Sequence, residues 1–180
     1  MALLCCWIYP LATPADAAAK SPTHIVWPDG WRVTATPLPA ILNKPGKLGE
    51  SWEALKTDAA TGEGVAEISF VRLAVITGDD SELHAKFLNV QQSYRQGYLA
   101  RSLQLDCDNG KPGTLDTLPS LASTCDVHNG AKLVARQLMV TAIGNGYVYN
   151  LLYTAPASSY ANYLHDFESV RASIRIDDKP

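Results

Sequence analysis

The sequence predicts an α+β domain, a mainly antiparallel sheet flanked by helices, and three observations carry that expectation. Tight-turn residues, Asn129-Gly130 and Gly144-Asn145-Gly146, separate runs rich in apolar and β-branched residues, which is the pattern of hairpins. Two other segments, near 83–98 and 160–174, repeat their apolar residues at the helical period instead. The order is strands, a helix, several strands and a closing helix, with hairpin turns rather than crossovers joining most strands.

The elements follow in order. Residues 18–30 are a lead-in ending in the turn Trp27-Pro28-Asp29-Gly30-Trp31. Residues 32–38 alternate as a strand, and Pro37 marks its end or an edge position. Residues 39–49 read as a loop from Asn43-Lys44-Pro45-Gly46. A short strand is expected at 50–56, a turn at 58–64, and the strongest strand at 65–76, where β-branched residues concentrate. Thr77 to Ser81 has N-cap chemistry, and Leu83, Phe87, Val90, Tyr94 and Tyr98 then mark one helix face. A strand at 99–107 and a Pro/Gly loop to about Ser120 are expected next. Strands at 121–128, 131–143 and 147–155 complete the sheet. The last helix carries Tyr160, Tyr163, Leu164, Phe167, Val170 and Ile174 on one face, with Pro156 just ahead of it.

Composition bounds the class of protein. The chain has 180 residues with a net charge of -3, which suits one domain and makes nucleic acid or an anionic membrane a poor partner. Residues 1–11 are apolar and uncharged, too short a run to span a bilayer but matched to the core of a secretory leader. Ala15 and Ala17 supply an A-x-A site, so residues 1–17 are expected to be a signal peptide, with cleavage after Ala19 the alternative. No base precedes Lys20, so the leader is unusual or its true start lies further upstream. Lipid attachment at Cys5 or Cys6 is a further alternative. Residues 18–180 then form a single α+β domain, periplasmic and without a transmembrane segment.

Removing the leader leaves two cysteines, Cys107 and Cys125. An even pair in an oxidising compartment is most simply a disulfide, worth about 3 kcal/mol in the chain-entropy account. Zinc would need two more ligands at tight spacing, and His128 is the one candidate nearby.

The motifs of common chemistries are missing. His24, His84, His128 and His165 have no metal-binding spacing, and no G-x-S-x-G, G-x-G-x-x-G or G-x-x-x-x-G-K-[ST] occurs. Asp79-Asp80 suits a helix start; Asp106 and Asp108 lack the twelfth-position acid of a calcium loop. The sequence therefore predicts no catalytic residues, no metal and no cofactor. The enriched signal is aromatic. Trp27, Trp31 and Trp52 lie early, and Tyr147, Tyr149 and Tyr153 late. If the first strands neighbour the last, these six could line one binding groove; the alternative is core and edge packing.

Two segments carry a family resemblance. Trp27-Pro28-Asp29-Gly30-Trp31-Arg32-Val33 leads into the first strand. The last strand ends Tyr149-Asn150-Leu151-Leu152-Tyr153-Thr154-Ala155-Pro156, ahead of a helix bearing Tyr160, Tyr163 and Phe167. This pattern resembles the PsbP/Mog-type fold, an α/β/α sandwich, and is similar to DcrB-like exported bacterial proteins and uncharacterised pseudomonad periplasmic families. The resemblance implies a non-enzymatic accessory or binding protein; small size, export and missing catalytic motifs add the expectation that it acts through protein–protein contact, as an adaptor or immunity-like factor. A small-ligand binder using the aromatic groove is the alternative reading, and an unrecognised hydrolase the third.

Overall fold

Alternation along the strands sets the architecture, because successive side chains leave opposite faces of a sheet. The computed structural model describes residues 23–38, 49–74 and 82–177. The expected leader, with Cys5 and Cys6, the loop at 39–48 and the capping segment Thr77 to Ser81 lie outside these residues. In chain order the elements are β1 (Thr23–His24), β2 (Arg32–Ala35), β3 (Gly49–Thr57), β4 (Gly64–Ala74) and α1 (Leu83–Leu99). There follow β5 (Gln104–Cys107), β6 (Lys111–Leu115), β7 (Leu118–Asn129), β8 (Lys132–Gly144), β9 (Tyr147–Pro156), α2 (Tyr160–Ser173) and β10 (Arg175–Ile176).

Eight strands form one antiparallel sheet in the order β2-β3-β4-β9-β8-β7-β5, with β6 also paired to β7. A two-stranded sheet, β1 with β10, ties the start of the described chain to its end. On one face α2 packs against β4 and β9. Phe167, Val170 and Ile174 meet Ile68, Phe70, Val140, Leu151 and Tyr153 there in the principal core. On the other face α1 lies over β5, β7 and β8, where Phe87 meets Met139 and Leu152. Leu151 and Leu152 thus feed different cores from consecutive positions. The result is the expected α+β arrangement, a sheet between two helices.

Several boundaries differ from the sequence expectation, each for a local reason. The helix continues through Leu99, and the strand expected from there begins at Gln104. Leu103 N–H donates to Tyr98 O and Ser102 N–H to Leu99 O, a Schellman stop in which Ser102 takes φ 60° where glycine is usual. The expected loop before Ser120 contains β6, which turns into β7 at Asp116, φ 52°. That turn is held from outside its own hairpin, since Asp116 Oδ2 accepts from Ile176 N–H. Between β7 and β8 the two turn residues are Gly130 and Ala131, because Asn129 still pairs with Lys132. The Asn145-Gly146 turn is as expected, with both residues at positive φ.

Cys107 and Cys125 face each other across β5 and β7 and are joined by a disulfide, their Cα atoms 4.0 Å apart. The same corner is tied polarly. Gln91 of α1 donates to Ser123 Oγ at 2.9 Å and Asp108 O at 3.2 Å, and Ser123 donates to Asp108 O. Gly110 lies under Phe87, where a Cβ would sit 2.7 Å from the ring.

Two measurements test this packing. Phe167→Ala empties a fully buried site and should cost about 3–5 kcal/mol in urea denaturation. Leu88→Ala, at a residue 46% exposed, should stay within about 0.5 kcal/mol. Equal effects would mean that α2 is not the main cover of the sheet. Replacing both Cys107 and Cys125 by alanine should lower stability by about 3 kcal/mol, and an unchanged denaturation midpoint would show that the bond adds nothing.

Candidate functional site

The six aromatics singled out in the sequence do come together, on the α2 side of the sheet, but chiefly as core. Trp31 is 7% exposed, and Tyr149 and Tyr153 are 0% exposed. Tyr149 and Tyr153 thus present no surface and Trp31 almost none, so these three of the expected groove residues lie within the core. Trp31 Nε1 donates to Asp166 Oδ2 at 2.9 Å, and its ring meets Tyr163 edge-on at 6.1 Å. Tyr153 donates its hydroxyl to Tyr160 O at 2.6 Å and stacks on Phe167 at 5.6 Å. Burial, followed by the neighbouring Tyr160, pushes its phenol well above the usual range. Trp27, Trp52 and Tyr147 are half-buried against the same core, and Arg72 lies over the Tyr147 ring at 3.4 Å. A buried aromatic usually pairs its polar end internally, as Trp31 and Tyr153 do, and that is why the pattern belongs to packing.

The other face is covered unevenly. Residues in direct register share a face, so Leu55, Glu67, Thr154, Gln137, Cys125 and Cys107 form one row across β3, β4, β9, β8, β7 and β5. Helix α1 roofs the Gln137–Cys107 end of this row. Gln137 Nε2 donates to Tyr98 OH and to Thr154 Oγ1, both at 2.8 Å, and Asn150 Nδ2 donates to Tyr94 OH at 3.1 Å. Burial pushes the Tyr94 phenol up to about 12, and burial with the charge of Glu67 raises that of Tyr98.

At the Glu67 end the roof stops. A shallow depression of about 220 Å³ opens there, lined by Leu55, Val65, Glu67, Ala135, Thr154 and Pro156 among others. Glu67 is half-buried, and burial first, then the charge of Glu53, holds its carboxyl above the ordinary range. Glu53 lies diagonally across on β3, opposite Ser69. No ion pair or hydrogen bond to Glu67 is formed among the described residues. The sequence did not mark this carboxylate, because in alternation it reads as one more solvent-facing polar residue of a strand.

A second cleft, about 550 Å³, lies between α2 and the β6–β7 turn, but its charges are engaged internally. Asp116 accepts from Ile176, Arg171 meets Glu168 at 3.7 Å and Thr114 O at 3.3 Å, and Arg175 donates to Ala172 O and Ile174 O. Among the described residues no three His, Cys, Asp or Glu side chains gather as a metal would require, and no helix is long and apolar enough to cross a membrane.

Comparison with known proteins places this geometry. Residues 22–176 match the family described as "Domain of unknown function (DUF4946)", and the chain belongs to that family. Among solved structures it is similar to cyanobacterial PsbP (CyanoP) from Synechocystis sp. PCC 6803. That match has a TM-score of 0.57 and 14% identity and covers 86% of each chain. It is also similar to LpqN, involved in cell envelope biogenesis of Mycobacterium tuberculosis, with TM-score 0.52 and 15% identity over 84% of this chain and 81% of that one. No curated protein matches the sequence. These likenesses establish a PsbP-type fold; a DcrB-like membership is not among the findings.

The Glu67 carboxyl makes a prediction of definite sign. A carboxyl whose folded pKa is raised binds its proton more tightly in the folded state, so the stability associated with it is present at low pH and declines as pH rises toward the folded pKa. Glu67→Gln removes that dependence. The variant should gain on the wild type in denaturation midpoint between pH 4 and pH 7; a flat difference would show that the carboxyl titrates alike in both states, and a reversed one would place a cation beside Glu67.

Proposed function

We propose that this is an exported, non-enzymatic accessory protein of the bacterial periplasm that acts through protein–protein contact, as an adaptor or immunity-type factor. The observation that carries the reading is the half of the sheet face around Glu67 that no helix or strand among the described residues covers. A sheet face roofed by a helix over β5, β7 and β8 but not over β3 and β4 offers a flat, partly apolar surface of the kind partner proteins cover. It includes a carboxylate whose ionisation opposes folding, and such local costs concentrate at functional sites. The disulfide supports export, since such bonds persist in oxidising compartments. The fold shared with LpqN, a protein involved in cell envelope biogenesis, is compatible with that reading.

Two measurements test the proposal. Mass spectrometry of the protein from periplasm should find a chain beginning at Ala18 or Lys20, and a product retaining Met1 would overturn export. Crosslinking in intact cells should recover a stoichiometric protein partner. Glu53→Lys combined with Glu67→Lys should abolish the crosslink while the soluble folded yield persists. A crosslink that survives that reversal moves contact to another surface.

A further inference from the structure

We propose that the depression beside Glu67 is a socket for one arginine or lysine side chain of a protein partner. The inference rests on the contact reading above and names the chemistry of that contact. Size excludes the common alternative: about 220 Å³ is below the 300–1,000 Å³ of ordinary small-molecule sites. A single long side chain suits it better. Leu55, Val65 and Pro156 offer apolar wall for a methylene stem, and the carboxylate of Glu67 stands where the charged head would arrive. Thr154 supplies a hydroxyl directly across from Glu67.

Charge complementarity selects a cation. The charge that bears on Glu67 is that of another acid, Glu53 on β3, and the charge of Glu67 in turn adds to burial in raising the neutral phenols of Tyr94 and Tyr98 on α1. Two bases lie on this side, Arg32 of β2 opposite Leu55 in the same row and Arg101 after α1 beside Tyr98. Neither forms an ion pair with Glu67 among the described residues. Two others are committed elsewhere. Arg95 donates to Leu105 O, and Arg136 is engaged bidentately by Asp126 at 2.6 and 3.2 Å. A guanidinium in the socket would remove the mutual repulsion of Glu53 and Glu67 and form a charge-assisted hydrogen bond in a partly desolvated place. Arginine is also the charged residue most enriched at contact hot spots.

The test uses the disulfide-bonded, 15N-labelled full chain, titrated with Nα-acetyl-arginine amide and with its neutral isostere Nα-acetyl-citrulline amide. The arginine probe should move the amide signals of Glu67, Ala135 and Thr154 saturably, the citrulline probe should not, and Glu67→Gln should weaken the response at least tenfold. An unchanged amide spectrum elsewhere certifies that the variant is folded; if it is not, Glu67→Asp serves, with the same direction expected. The socket is overturned if citrulline acts equally, if shifts gather at Asp116 and Glu168 instead, if nothing saturates, or if the response survives the substitution. Failure of the probe alongside a captured partner would sink the socket and leave the contact reading standing. A saturable response without any partner would do the reverse.

Discussion

The pairing of β4 with β9 is the constraint on which the rest of the structure depends. The other pairings of the large sheet join strands near one another in the chain. The β4–β9 ladder, from Glu67 opposite Thr154 to Ala74 opposite Tyr147, joins two halves separated by α1 and four strands. Closing that distance costs chain entropy before any contact rewards it. What rewards it is the strongest apolar run of the early chain, Ile68 and Phe70, laid beside Leu151 and Tyr153 and then roofed by α2. Without this seam there are two sheets, each with an open edge; with it there is one sheet whose two faces must be covered separately.

The coverage of those faces is unequal, and the inequality is where function is sought. Helix α2 crosses the seam, so the face holding Tyr149 and Tyr153 is closed and its aromatics become core. Helix α1 is bound instead to the far side. Gln91 and Ser123 fix it to the β5–β7 corner, and the Cys107–Cys125 bond holds that corner to the sheet. It cannot also lie over β3 and β4. The seam therefore runs from a roofed region, Gln137 under Tyr98, into one that no described helix roofs, Glu67 beside Leu55.

Much of this was legible in the sequence, and the parts that were not share a cause. The α2 face, from Tyr160 to Ile174, is periodic because it packs on a continuous apolar surface, and periodicity is what a single sequence displays best. Asn145-Gly146 was legible because positive φ at two successive positions selects those residues. The Schellman stop at Ser102 was not, since serine carries no such mark and the turn is held by Leu103 and Tyr98. The strand β6, Lys-Pro-Gly-Thr-Leu, contradicts strand propensity and exists because β7 offers it a ladder. The aromatic residues were visible as a group, but composition does not distinguish a groove from a core. Burial decides that, and burial depends on which helix crosses which strands.

Glu67 shows the same limit from the other side. In Val65-Ala66-Glu67-Ile68-Ser69-Phe70 the alternation is ordinary, and an acid at an outward position is what a half-exposed strand requires. Its significance comes from what lies across the seam, Thr154 and the Tyr98–Gln137 pair, which desolvate one side of the carboxyl without supplying a base. A charge placed so is held by long-range topology at some cost to folding. Moving it one position along β4 would bring it into the α2 core, where ionisation would be far costlier. Moving it two would bring it to Ser69, directly opposite Glu53 and two pairs further along the strands. Position 67 is thus where β4 pairs an acid directly with Leu55 and Thr154 at the margin of α1, half in water and half out of it. A cation arriving there from another protein would find its counter-charge already desolvated, and a partly dry ion pair is worth more than one formed in bulk water.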